Sequence, residues 1–244
     1  MAPFVIDDGV PWPLGRFPAL AERAGVRHGV TTRDGPAFGA EAVAPACAEA
    51  AATAADQLGL AGVAYVRQVH GGTVLRVRTP GLVGEADGLI TDVPGLAVLG
   101  RSADCPLILV AGRRPDGSPA VGFAHASWRA TVRGITATLI ARLTGELQVV
   151  PATIHAAIAP SAGPCCYEVG PEVRQQALAA LGEDAASFFI PAADRWHLDL
   201  WAANHAQLTA GGVPAEQIEQ SRICTICQGE RFWSWRAQGE RAGR

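Results

Sequence analysis

The chain has 244 residues, 49% of them hydrophobic, and a formal net charge of −3. That apolar share supports a sizeable core and excludes general disorder. The slight acidity leaves no electrostatic footprint for nucleic acid, and no apolar run reaches the roughly 18 residues of a membrane span. The start, Met1-Ala2-Pro3-Phe4-Val5-Ile6-Asp7-Asp8, lacks a basic stretch ahead of an apolar one, so a cytoplasmic protein free of membrane is expected. Cys47, Cys105, Cys165, Cys166, Cys224 and Cys227 then read as free thiols or metal ligands rather than disulfides.

Residues 26–32 read as an early strand closed by the turn signature Arg33-Asp34-Gly35-Pro36. Residues 45–60 are Ala-rich and predict a helix stopped by a Gly. Residues 63–68 alternate and lead into His70-Gly71-Gly72, and β-branched alternation resumes over 73–77. His70 is therefore expected at a strand end or hairpin corner. Residues 85–92 read as a loop entering a short strand, and 96–99 as another strand. Residues 106–110 are apolar throughout, a buried strand or short helix directly after Cys105. A Gly/Pro/Arg turn over 111–118 precedes a second apolar strand, 120–125, which ends on His125.

Val132, Ile135, Leu139 and Leu143 recur at a helical period and predict one helix over 131–143. Further on come a strand over 153–159, an irregular stretch over 163–170 and helices over 171–181 and 198–210. Strands over 218–224 and 232–235 close the chain. No repeat, linker or low-complexity block divides it, so residues 1–244 read as one domain. Strands outnumber helices without regular alternation, which favours α+β, a single domain of layered mixed β-sheets flanked by helices, over a doubly wound fold.

His70, Cys105 and His125 each fall at the end of a predicted strand, where a rigid scaffold presents side chains to a cleft. Two His and one Cys can hold zinc with the fourth position open, the catalytic arrangement, and the same donors suit copper. Spacings of 35 and 20 residues are no metal signature by themselves. Two other readings stand beside this one: a buried Cys with two satisfied His, and a Cys105 nucleophile with a His base and no metal. Asp104 and Asp87 are candidates to orient a His or act as acid or base, or else to cap and turn. Arg33, Arg101 and Arg129 are candidate anion binders, and Gln68 shares a strand face with His70. Arg129 also stands where the 131–143 helix begins, and a helix N-terminus welcomes an anion. Cys165-Cys166 and Cys224-x-x-Cys227 invite a second metal, but CxxC alone is a weak signal, and buried packing thiols are the expectation.

Several segments carry a resemblance. They are Arg27-His28-Gly29-Val30-Thr31-Thr32-Arg33, Gln68-Val69-His70-Gly71, Glu85-Ala86-Asp87-Gly88-Leu89-Ile90-Thr91, Ala103-Asp104-Cys105-Pro106 and His125-Ala126-Ser127-Trp128-Arg129-Ala130. Gly163-Pro164-Cys165-Cys166-Tyr167-Glu168-Val169-Gly170, Leu198-Asp199-Leu200-Trp201-Ala202-Ala203-Asn204 and Cys224-Thr225-Ile226-Cys227 follow in order. From about residue 26 onward the chain resembles the laccase-domain, or polyphenol oxidoreductase-like, family. Its members are described as purine nucleoside phosphorylases with adenosine deaminase side activity, or as peptidoglycan editing factors. It departs from the family pattern at Ser127-Trp128-Arg129-Ala130, where Gly-Trp-Arg-Gly is usual, in a shortened loop after Arg33, and in the tail Phe232-Trp233-Ser234-Trp235-Arg236.

The resemblance implies a zinc site at His70, Cys105 and His125, with Cu2+ the alternative metal. Cys105, His125 and Asp104 are the implied catalytic residues, and Arg33, Gln68, Arg101 and Arg129 the implied substrate contacts. The implied partners are a small-molecule nucleoside and phosphate, and a monomer or homodimer is expected. The implied reaction is phosphorolysis of purine nucleosides, with adenosine deamination beside it; the alternative is a cysteine-type amidase editing a peptidoglycan precursor. Multicopper oxidation fits poorly, since it needs many more His than the six present.

Overall fold

The computed structural model describes residues 4–9, 11–36, 38 and 45–243. Met1 to Pro3, and Ala37 and Gly39 of the shortened loop, lie outside the described residues. The chain opens with β1 (Val5–Asp7), β2 (Leu14–Arg16), α1 (Pro18–Ala24), β3 (Val30–Thr31) and α2 (Pro45–Gln57). Strands β4 (Gly62–Arg67), β5 (Val74–Arg76), β6 (Gly81–Glu85), β7 (Gly88–Thr91), β8 (Leu96–Leu99), β9 (Leu107–Arg113) and β10 (Pro119–His125) follow. Helices α3 (Trp128–Val132) and α4 (Ile135–Glu146) lead to β11 (His155–Ile158), β12 (Glu168–Val169) and α5 (Pro171–Leu181). The chain ends with β13 (Phe189–Ala192), β14 (Arg195–Leu198), α6 (Leu200–Ala210), β15 (Ile218–Gln220) and α7 (Trp235–Gln238).

The architecture is α+β with several mixed sheets. A six-stranded sheet runs β15-β11-β9-β10-β7-β5, with only its two outer pairs parallel. Helices α4 and α6 cover one face, burying Ile90, Ile108, Ile135, Leu139, Leu143 and Leu208 together. The parallel sheet β6-β4-β8 and helix α1 cover the other, around Leu89, Phe123, Phe17 and Leu20. A strand covered on both faces needs apolar residues on both, which is why β9 and β10 show little alternation. Each such side chain fully buried contributes about 1.5–3 kcal/mol. Smaller sheets, β1-β2-β3 and β12-β14-β13, flank this core.

Several sequence expectations change. Of the two places expected for His70, it takes the one just past a strand end, after β4, and not a hairpin corner, because β4 and β5 belong to different sheets and the His70 loop crosses between them. The single helix expected over 131–143 is two. Gly134, at φ 74, takes a left-handed conformation that residues with a Cβ adopt at a cost, and it separates α3 from α4. The aromatic stretch 232–235 is no strand, since Ser234 caps α7 by accepting from the Ala237 N–H at 3.1 Å. The early strand shrinks to Val30–Thr31, the Ala-rich helix stops at Gln57, and the strand over 218–224 ends at Gln220. The β13–β14 hairpin carries no signal that the sequence reading used.

Candidate metal centre and active site

The centre is built around Asp87, which is fully buried just before β7. Its Oδ1 accepts from the His70 N–H at 2.9 Å and meets His125 Nδ1 at 2.9 Å. Its Oδ2 accepts from the N–H groups of Gly71 at 2.6 Å and Val69 at 3.2 Å. Successive N–H groups turned onto one carboxylate make an anion nest, and this holds His70 at a left-handed φ of 56. Burial alone would raise the Asp87 carboxyl, but the hydrogen bonds from His125, Gly71 and Val69 hold it below its ordinary value. One buried acid thus fixes the backbone under one His and the ring of the other. The β7–β10 pairing delivers it, with Gly88 opposite Ala124.

With Nδ1 of His125 taken by Asp87, Nε2 is the nitrogen left to meet Cys105. The His70 and His125 rings lie 4.9 Å apart edge to face. Donor atoms of His70, Cys105 and His125 all fall within 4.8 Å of one another. Burial would push the Cys105 thiol up, yet His125, by charge and hydrogen bond, and His70 hold it at about 6. Burial would likewise lower His125, while Cys105 and Asp87 hold it up at about 9. Two imidazoles and a readily ionised thiol are a borderline-soft set that fits zinc. Among the described residues no fourth His, Cys, Asp or Glu joins the group, which leaves the open side of a catalytic site.

The neighbouring candidates take other places. Gln68 clasps the backbone of Arg101, donating to its carbonyl at 2.7 Å and accepting from its N–H at 2.8 Å. That reciprocal pair ties the Arg101–Cys105 loop beside the His70 loop, a positioning role. The Arg101 side chain is buried and lines a cavity of about 630 Å³ between α2 and the central sheet. None of His70, Cys105 and His125 lines that cavity.

Asp104, expected to orient a His or move a proton, turns its carboxylate away to the C-terminal segment. It accepts from Thr225 Oγ1 at 2.7 Å, Ser234 Oγ at 3.1 Å and the Arg236 N–H at 2.6 Å. At φ 88 it sits in a strained conformation next to Cys105, held there by those three bonds. The orienting role falls to Asp87.

Among the arginines, Arg33 is committed: it donates to the Gly229 carbonyl and stacks over Trp233 at 4.2 Å. Arg129 is exposed and lies 4.5 Å over the Trp128 ring. The helix that begins there is only five residues long, and Ser127 Oγ already accepts from the Ala130 N–H, so its N-terminus offers an anion little. Two residues to which the sequence assigned no role join the site. Arg133 donates to the His70 carbonyl at 2.7 Å. Tyr167 has its phenol pushed up first by burial and next by the charge of Cys105 nearby. The sequence carried no signal for Arg133, whereas Tyr167 stands in a segment that carried the resemblance.

Of the remaining cysteines, Cys47 of α2 packs in the core, whereas Cys165, Cys166, Cys224 and Cys227 gather in one group in which only Cys224 is buried. Cys165 and Cys227 are exposed and Cys166 half-buried, and the four sulfurs lie within 4.8 Å of one another.

A family described as multi-copper polyphenol oxidoreductase laccase matches residues 28–244. Over 260 residues, covering 95% of this chain and 96% of the relative, the chain is 32% identical to a Xylella fastidiosa protein named purine nucleoside phosphorylase. Over 161 residues, 65% of this chain and 59% of the relative, it is 35% identical to a protein from an unknown prokaryotic organism named adenosine deaminase RL5. The crystal structure of the Bacillus licheniformis hypothetical protein YfiH matches with a TM-score of 0.80 at 25% identity, over 95% of this chain and 93% of that one. The names of the relatives attach to enzymes of purine nucleosides, whereas the family's description speaks of several coppers. The described residues bring His to one three-donor cluster alone. By the span of the match, the chain belongs to the multi-copper polyphenol oxidoreductase laccase family.

Proposed function

We propose that this chain is a zinc-dependent purine nucleoside phosphorylase that accepts adenosine, inosine or methylthioadenosine and deaminates adenosine as a second activity. The observation that carries the reading is the convergence of His70, Cys105 and His125, with no fourth donor from the described residues, in a chain whose relatives are named for this chemistry. Zinc held there would polarise an oxygen of phosphate or water and offset the negative charge that develops. Asp87 keeps the His125 ring in one tautomer and the His70 backbone in place, so both donors are ready before substrate arrives. Of the three candidate anion binders Arg33, Arg101 and Arg129, only Arg129 has an exposed side chain, and we assign it the phosphate. In phosphorolysis the phosphate oxygen bonds the sugar carbon, the glycosidic bond breaks and the purine leaves with its electron pair. We assign Tyr167, buried and within reach of the Cys105 charge, the steering of the departing base. The protein acts on small molecules and needs neither nucleic acid nor membrane.

The depressed Cys105 thiol beside a raised His125 favours one second reading, a cysteine amidase acting on a cell-wall precursor without metal. Supplying inosine plus phosphate in parallel with UDP-linked muramoyl-serine, to metal-loaded and metal-stripped protein, separates the two. Phosphate-dependent release of hypoxanthine by the loaded protein alone supports the phosphorylase. Amide release that survives stripping supports the amidase.

A further inference from the structure

We propose that Cys165, Cys166, Cys224 and Cys227 form a second metal site, a closed tetrathiolate centre for zinc that fastens two loops behind Cys105. This rests on their own geometry and stands or falls apart from the phosphorylase reading. Cys165 and Cys166 lie in the loop after β11, and Cys224 and Cys227 in the segment after β15. Backbone bonds already draw the two loops together, from Ser161 N–H to the Ile223 carbonyl at 3.1 Å and from Thr225 N–H to the Ser161 carbonyl at 3.0 Å.

The sulfur spacing suits a shared cation. Cys227 Sγ lies 3.7 Å from Cys165 Sγ and 3.3 Å from Cys166 Sγ. A tetrahedron with Zn–S bonds of about 2.3 Å has edges of about 3.8 Å. A disulfide needs about 2.05 Å, and all four residues are free thiols. Four ligands from the protein close the coordination, the mark of a structural site. The outer contacts fit too: the backbone N–H groups of Gly163, at 3.3 Å, and of Cys227 both donate to Cys224 Sγ, as amides do around thiolate sulfur. Binding one Zn2+ would displace the thiol protons to solvent and leave a complex of charge −2.

The placement gives the site a purpose. Thr225, between Cys224 and Cys227, donates to the Asp104 carboxylate, and the Ala162 N–H donates to the Asp104 carbonyl at 2.8 Å. Asp104 is the strained residue next to Cys105, so fixing these loops fixes the thiol of the first centre.

The test uses full-length His70→Ala protein, in which the first centre is disabled and the four cysteines are intact. It is purified under reductant, loaded with zinc or cobalt(II), and assayed for bound metal by plasma mass spectrometry. The expected result is one retained equivalent per chain, intense thiolate-to-cobalt charge-transfer bands, and four cysteines shielded from alkylation until a chelator is added. Cys227→Ser in the otherwise unaltered chain should lower total metal by one equivalent. Two results would each overturn the proposal: His70→Ala protein that is folded and metal-free with freely alkylated thiols, or disulfides within the quartet after reductive purification.

Discussion

The sharpest consequence of the site's construction concerns Asp87→Asn. The substitution keeps the shape and removes the charge on which four donors converge. Whichever way the amide is turned, its NH2 faces N–H donors, either Gly71 and Val69 or His70 and His125. A hydrogen bond to a charged group is worth about 1.5–3 kcal/mol, and disabling a buried charge pair costs about 3–5 kcal/mol. We therefore expect a stability loss of about 3–5 kcal/mol in metal-free protein. Removing the partner that orients a ligating His weakens metal about 10–100-fold, or roughly 1.4–2.8 kcal/mol. The assays are urea unfolding of stripped protein and zinc competition against a chromogenic chelator. The acid limb should move as well. The wild-type carboxyl is depressed in the folded state, so its contribution is present above the ordinary value near 3.8 and fades as pH falls through the folded one. Unchanged zinc affinity in a stably folded Asp87→Asn protein would refute the claim that this acid organises both His ligands.

Other outcomes follow from single features. In metal-free protein Cys105 titrates at about 6 and His125 at about 9, so zinc uptake between those pH values should displace about one proton, from His125. Calorimetry in buffers of different ionisation enthalpy reads this number, and no buffer dependence would contradict the ion pair. The same shifts set stability in opposite senses. The His125 share is complete below 6.5 and lost through about 9, while the Cys105 share is complete above 9.0 and lost as pH falls through about 6. Asn204→Ala should cost about 2–3 kcal/mol in urea unfolding with metal content intact, since buried Asn204 accepts from Thr136 and donates to Thr131 and the Leu200 carbonyl. Arg129→Ala should raise the KM for phosphate about tenfold or more and leave the Tm nearly unchanged, because the side chain is exposed. A phosphate KM equal to wild type would make Arg129 scaffold.

How much of this was legible depends on what kind of partner each residue has. The strand that begins just after Cys105 and the one that ends on His125 were readable because burial on both faces forces continuous apolar runs. The resemblance named His70, Cys105 and His125, the trio that the fold brings within 4.8 Å. Asp87 and Asp104 were not separable from sequence, since both are acids beside turns. Which one orients His125 depends on β7 pairing with β10 across 38 residues of chain. The arginine partners were hidden for a related reason: Arg33, read as an anion binder, and Arg133, not singled out, bind the backbone carbonyls of Gly229 and His70, and a carbonyl leaves no mark in the sequence. The helix over 131–143 showed its apolar period correctly but hid the break at Gly134, where φ decides rather than hydrophobicity. The cysteine quartet looked like packing because the two pairs are some 60 residues apart, and the β11–β15 pairing with the Ser161–Cys224 bridge beyond it brings them together.

The most direct test of the functional account is phosphorolysis of inosine by zinc-loaded protein and by Cys105→Ala, followed as hypoxanthine release with and without phosphate. The account predicts phosphate-dependent release by the loaded protein, its loss in Cys105→Ala together with one equivalent of bound zinc, and recovery in stripped wild-type protein on adding zinc back. Release that is independent of phosphate, or that persists in Cys105→Ala at the wild-type rate, would contradict it.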